Sequence, residues 1–257
     1  MQATGQRCKA RRIKISSASK WKNLPDFHVS CRGGTLWDHP IKCDFMDGTS
    51  VRAAVIVIGF VGGYVHHNDT VHQEVQLANH LSKDYASRAE VKIFENHSGR
   101  QAYNEVMRLL DSDHDGKLSA EEKREARIVL YGHSWGASEA VALARSLQKQ
   151  NVNVLLTVQV DSVSKPGEDD RRIPANVAEA VNFYQLDGLL HGQRQIVAAD
   201  PSHTRILGNY RFNYKMNSIN CDGYPWYARL FMKPHIEIES DPKVWGQVEA
   251  LIRSKLP

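Results

Sequence analysis

The chain has 257 residues, 42% of them hydrophobic, and a formal net charge of +4; that is enough apolar material for a sizeable core, and the length fits one α/β domain with insertions better than two independent domains. No apolar run approaches the roughly 20 residues that span a bilayer and no N-terminal apolar stretch has signal-peptide character, so no transmembrane segment is expected and the chain reads as soluble. The cysteines, Cys8, Cys31, Cys43 and Cys221, show no C-x-x-C spacing and no paired histidine, which leaves a cysteine zinc site or a thioredoxin-like redox site without support.

In chain order, residues 1–50 read as a basic N-terminal extension and irregular segment ahead of a domain at 51–257. Arg7, Lys9, Arg11, Arg12, Lys14, Lys20 and Lys22 all precede the first acid, Asp26. A solvated arm is the expected reading; contact with anionic surfaces and a targeting peptide are the alternatives. Cys31 and Cys43 bracket a loop rich in Gly, Asp and Pro and would be able to bridge in an exported protein. Residues 53–58 form a continuous apolar run, the pattern of a strand buried on both faces. Helical spacing over 71–85 leads to a short strand at 91–94 and a helix at 100–110. An acidic loop and a short helix at 119–125 precede an apolar strand at 126–131 and a helix at 137–150. Further strands are expected at 152–160, 181–185 and 205–214, and a last helix at 242–254 with Asp241 as N-cap and Pro242 in its first position. Strands alternating with helices predict an α/β fold with a mostly parallel sheet covered on both faces.

Between the strand at 126–131 and the helix at 137–150 stands Gly132-His133-Ser134-Trp135-Gly136, a G-x-S-x-G segment at a strand-to-helix turn. Glycines there let the backbone turn sharply and lift the serine hydroxyl over the sheet, while the helix start offers N–H groups to a developing oxyanion. Ser134 is therefore the candidate nucleophile. A serine hydroxyl needs a histidine base, and that histidine needs a carboxylate to hold its tautomer. Ligands of open α/β sheets bind beyond the carboxyl ends of the strands, so both partners are expected in loops that follow strands. His235, expected in the loop between the last strand and the terminal helix, fits best; His203 is its rival. For the acid, Asp161 ends the apolar run at 152–160 with no turn glycine beside it, whereas Asp187 precedes Gly188 and has an alternative role as a turn residue. Asp161 is favoured and Asp187 stays open. For the oxyanion hole, the N–H of Trp135 pairs with one from the loop Gly59-Phe60-Val61-Gly62-Gly63, where Phe60 is the candidate donor.

These residues resemble the α/β-hydrolase superfamily, in particular its lipase- and esterase-like members. The matching positions are Gly132 to Gly136, the loop Gly59 to Gly63, and Asp161 and His235 in the order Ser, Asp, His; they span the chain from about residue 53 to its end. The resemblance implies the α/β-hydrolase fold and hydrolysis of a small-molecule or lipid ester through an acyl-enzyme, with His235 taking the Ser134 proton and later activating water. Two departures stand out: Ile58 occupies the place where many lipases carry His before the loop glycine, and Asp161 would follow the family's sixth strand rather than its seventh, as in pancreatic-lipase-like enzymes.

Residues 111–122 match a twelve-residue EF-hand loop position by position. Asp111, Asp113 and Asp115 would converge on one Ca2+, Gly116 would make the sharp turn, Lys117 would offer its carbonyl, Ser119 the water-linked position and Glu122 the bidentate closure. The competing reading is an acidic surface turn in which Ser119 and Glu122 form a capping box. A single hand with a short outgoing helix points to a structural ion that stiffens the approach to Ser134. His66, His67, Asn68, Asp69 and His72 read as a polar loop at the crevice mouth rather than a metal site. Tyr224, Trp226, Tyr227 and Phe231 read equally as a pocket lining or as core. A serine ester hydrolase with structural calcium leads; a thioesterase, amidase or acyltransferase on the same residues, or a non-catalytic calcium-stabilised binding protein, are the alternatives. Nucleic acid is not expected as a partner, oligomeric state is open, and the calcium loop and cysteine pair lean towards export.

Overall fold

The computed structural model describes residues 55–257; the basic arm, Cys8, Cys31 and Cys43 lie outside them. The first half of the domain runs β1 (Val55–Val61), α1 (Gln73–Asp84), β2 (Ala89–Glu95), α2 (Gly99–Leu110), α3 (Ala120–Glu125), β3 (Ile128–His133), α4 (Trp135–Gln148) and β4 (Val154–Val160). The second half runs β5 (Arg172–Ile173), β6 (Val177–Gln185), β7 (Val197–Ala198), β8 (Arg205–Phe212), α5 (Trp226–Phe231), α6 (Lys233–Ser240) and α7 (Pro242–Arg253). Six strands form one sheet in the order β2-β1-β3-β4-β6-β8, and every neighbouring pair is parallel. The α/β expectation holds.

Alternation along the central strands explains the layers, because successive side chains of a strand leave opposite faces of the sheet. Ile56, Ile58 and Phe60 of β1 and Ile128 and Leu130 of β3 pack with Ala102 and Val106 of α2 and with Ala140, Val141, Ala144 and Leu147 of α4. Val55, Val57, Val129 and Tyr131 face the other way, into Leu77 and Leu81 of α1 and Val244, Trp245, Val248 and Ile252 of α7. A strand with apolar groups on both faces has no amphipathic solution other than a sheet covered twice. The terminal helix begins as the sequence requires: Asp241 accepts from the Lys243 N–H at 2.8 Å, with Pro242 in the first turn.

From β1 the chain returns on one side to β2, and the later strands β3, β4, β6 and β8 follow on the other. The loops after β1 and β3 therefore part at the point where strand order reverses, the place beyond the carboxyl ends of the strands where open α/β sheets bind ligands. Two helices were not anticipated: α5 and α6 occupy the stretch expected to be a loop between β8 and the terminal helix. Among the described residues no helix is long and apolar enough to cross a membrane.

Candidate active site

The turn from β3 into α4 holds Ser134 at φ 56° and ψ −126°, a conformation that a side chain adopts only under constraint. Four backbone bonds impose it: the Ser134 N–H donates to the Val160 carbonyl at 3.0 Å, and the Ser134 carbonyl accepts from Ala137 at 3.1 Å and from Ser138 and Val163 at 3.3 Å each. The flanking glycines are required by contact. A Cβ on Gly132 would stand 2.5 Å from the Gly136 carbonyl carbon, and one on Gly136 would collide with the Phe60 carbonyl. Helix α4 thus starts almost against the end of β1.

Ser134 Oγ lies 2.8 Å from His235 Nε2, and His235 Nδ1 lies 2.6 Å from Asp161 Oδ2. All three are buried, with 8%, 4% and 0% of their surface exposed, so these bonds lie out of competition with solvent. Asp161 follows β4 at φ 42°. Its carboxylate also accepts from the Gln185 N–H at 3.1 Å, Gln185 Nε2 at 2.8 Å and the Gly192 N–H at 2.7 Å. Burial acts to raise its pKa, but the hydrogen bond and charge of His235, with the Gln185 donors, outweigh it and hold the group below the ordinary carboxylate range. Gly192 is a close-approach glycine, since its Cβ would overlap the Asp161 backbone. Neither Gln185 nor Gly192 carried a sequence signal, because their roles depend on the β6 end and the loop after it returning to β4.

His235 sits in the first turn of α6 rather than in a loop, its N–H bonded to the Met232 carbonyl at 2.9 Å. The rivals lie elsewhere. His203 is two-thirds exposed and pairs with its neighbour Asp200 at 2.9 Å. The Asp187 side chain is buried, accepts from the Tyr214 N–H at 2.9 Å and faces Arg211 and Lys215, with no hydrogen bond to His235. Trp135 is the first residue of α4, so its N–H has no intrahelical partner. Phe60 does not occupy the expected loop. It lies within β1, fully buried and in register with Phe94 on one side and Gly132 on the other, so its N–H points along the sheet and not over the crevice. The segment that reaches Ser134 is Gly62, where a Cβ would stand 3.0 Å from Ser134 Cβ.

His133, the variable residue of the pentapeptide, packs against His235 with ring centroids 4.5 Å apart and the ring planes tilted by 35°. Burial lowers its pKa to about 4 against the opposing charge of Glu239, which leaves it neutral at pH 7. The histidine-rich loop divides. His66 and His67 turn outward onto Glu95, which His97 also meets, whereas His72 is buried against Glu239. Of the aromatic run, Tyr224 is buried, while Trp226, Tyr227 and Phe231 are 53–70% exposed with Leu230 on α5; they are not core.

In the acidic loop, carboxylate oxygens of Asp111, Asp113 and Asp115 lie within 4.8 Å of one another. The backbone curls around them: Asp111 accepts from the N–H groups of Asp115 and Gly116, Asp113 accepts from that of Asp115, and His114 and Gly116 take positive φ. Glu122 is not part of that group. Its carboxylate accepts from Ser119 and Ser112, closing a capping box on α3, and these bonds hold its pKa at about 2.

Comparison with protein-family models and with curated proteins found no match to this chain.

Proposed function

We propose that the chain is a serine hydrolase of α/β-hydrolase type that cleaves carboxylic esters. The observation that carries this is the row Ser134 Oγ, His235 Nε2, His235 Nδ1, Asp161 Oδ2, with contacts of 2.8 and 2.6 Å at a positive-φ turn. His235 takes the Ser134 proton as Oγ attacks the ester carbonyl. The oxyanion is met by the Trp135 N–H and by a donor from the turn at 62–64. His235 then passes its proton to the departing alkoxide, and the same nitrogen deprotonates the water that releases the acyl group. Asp161 keeps the Nδ1 proton on the far side of the ring throughout. The exposed aromatic side chains of α5, which immediately precedes α6, favour esters with an apolar acyl or alcohol part.

The loop at 111–122 fits a calcium ion. Three carboxylates placed together by a turn of this hydrogen-bond pattern repel one another until a cation joins them. Asp111, Asp113 and Asp115, the Lys117 carbonyl and Ser119 would hold it, and Glu122 would complete the set by leaving its capping bonds. A bound ion would neutralise the loop and link the end of α2 to the approach to α3, one short segment before β3, without a part in the chemistry.

The deciding experiment is labelling with a fluorophosphonate alongside hydrolysis of short- and medium-chain p-nitrophenyl esters. Covalent modification of Ser134 with ester turnover is expected. An unlabelled Ser134 in a folded chain contradicts the mechanism and leaves a binding protein.

A further inference from the structure

Behind the Ser134–His235 pair lies a second group of ionisable side chains that ester hydrolysis does not use. His72 stands at the start of α1 and Glu74 in its first turn, His133 ends β3, and Glu239 follows His235 by one turn on α6. They are 9%, 0%, 3% and 3% exposed respectively. Ligand-capable atoms of His72, Glu74 and Glu239 all lie within 4.8 Å of one another. His133 Nδ1 is 3.3 Å from Glu239 Oε2 and 3.7 Å from Glu74 Oε1, and His72 Nδ1 is 2.5 Å from Glu239 Oε1.

Two buried carboxylates in one place demand positive charge or protons. Glu74 shows the deficit most clearly. Neither of its oxygens has a partner of full hydrogen-bond geometry; its nearest polar neighbours are the Gly62 and Glu74 N–H groups and the Glu239 carboxylate, and burial together with the Glu239 charge pushes its pKa well above the ordinary carboxylate value. A fully buried carboxylate without a full donor is expensive unless a proton or a cation satisfies it. The donor set defines what cation that is. Imidazole nitrogens and carboxylate oxygens at 2.0–2.1 Å from zinc stand about 3.3 Å apart at neighbouring corners of a tetrahedron, close to the two His133 spacings; His72 Nδ1 and Glu239 Oε1, joined by a hydrogen bond at 2.5 Å, would part to admit the ion. Calcium, which takes six to eight oxygens, does not suit a site half made of imidazole. Two carboxylates and two neutral imidazoles around a dication sum to zero charge, the arrangement a dry site tolerates best.

We propose that His72, Glu74, His133 and Glu239 form a buried site for a divalent transition metal of zinc type. With His72 binding through Nδ1, its Nε2 faces Asp69 Oδ2 at 3.8 Å, an outer carboxylate placed to orient the ring. The site pins together three separate segments. Glu239 belongs to the helix that carries His235, His133 adjoins Ser134, and Glu74 and His72 follow the turn that approaches Ser134 at Gly62. The metal would act through position: His133 packs on the His235 ring, and none of the four ligand side chains hydrogen-bonds to Ser134, His235 or Asp161. The inference stands on burial and donor geometry and is independent of the ester-hydrolase reading.

The test uses the full chain, saturated with Ca2+ to occupy the loop at 111–122, then incubated with Zn2+ and desalted. One zinc per chain should remain by elemental analysis, and Co2+ in its place should give the intense visible absorption of a four-coordinate ion. Glu74→Gln, an isostere of the protonated acid, should weaken zinc binding at least tenfold, while Asp113→Asn leaves it unchanged. The alternative is a proton shared between Glu74 and Glu239. It predicts no retained zinc, no cobalt spectrum and a Glu74→Gln chain as stable as the parent, and that result overturns the proposal. Zinc retained equally by Glu74→Gln overturns it too, by placing the ion elsewhere, with the exposed histidines around Glu95 the obvious site. Should Glu74→Gln fail to fold, the zinc content and cobalt spectrum of the unaltered chain decide.

Discussion

The acidic loop and the Ser134 crevice are both built from polar side chains held by hydrogen bonds, yet they are made in opposite ways. Every bond in the loop joins residues no more than 10 apart, and all are exposed. In the crevice, His235 reaches Ser134 across 101 residues and Asp161 across 74, and Asp161 is held by groups 24 and 31 residues away, all buried. A local polar cluster pays little chain entropy and gains little per bond in water. A non-local one needs the whole sheet in place before it exists, but its bonds form in a low dielectric where each is stronger. The Ser134 site can therefore hold strained and oriented side chains, whereas the loop, on the calcium proposal, would need a cation to become rigid.

The sharpest way to break this contrast is at Ser134. Ser134→Ala should lower ester kcat/KM by about 10⁴-fold or more while the calcium-dependent rise in Tm persists; activity near that of the parent contradicts the assignment. Asp161→Asn should reduce kcat by roughly 10³- to 10⁴-fold through loss of the correct His235 tautomer. Asp187→Asn is the matched control, and an equal loss there would restore it as the acid. Gly136→Ala should destabilise the fold by about 3 kcal/mol through overpacking against the end of β1, read as a fall of about 6–12 °C in Tm. On the loop side the effects are smaller. Ca2+ at about a hundredfold over its Kd should raise Tm of the calcium-free chain by about 5–10 °C, and Asp113→Asn should abolish that shift.

The smallest effect sharpens the contrast by pH. In the calcium-free chain, Glu122 should titrate near 2 rather than at the ordinary 4.5, because Ser119 and Ser112 bond its charged form. Its folded pKa is the lower one, so the unfolded chain binds more protons between these values. The contribution of the capping box is complete above about pH 4.5 and fades as pH falls towards 2. Carboxyl-carbon NMR of Glu122 reads this directly, and a midpoint at 4.5 would remove the capping box.

How much was legible follows the same division. The central strands were readable because burial on both faces leaves an unbroken apolar run, and the pentapeptide because its glycines answer contacts with nearby backbone. The acidic loop was readable because its spacing is its geometry. Residues 233–240 were not. Lys-Pro-His-Ile-Glu-Ile-Glu-Ser alternates apolar and polar like a strand or loop, but forms α6 because Glu237 is met by Ser218 and Ile219, and Glu239 by His72. Those partners lie up to 167 residues away. Phe60 was misplaced for a related reason: β1 runs on to Val61, since its pairing with β2 and β3 continues past the first glycine.

By itself, then, the sequence determined the α/β layering, the strand-to-helix turn that presents Ser134 and the acidic loop, all of them consequences of neighbours within a turn or a strand. Only the tertiary structure put Asp161 rather than Asp187 against His235, turned the His235 segment into a helix, and gathered His72, Glu74, His133 and Glu239 behind it. The physical reason is desolvation: what a carboxylate or an imidazole does is set by which distant donors and charges share its buried space, and local spacing carries no record of them.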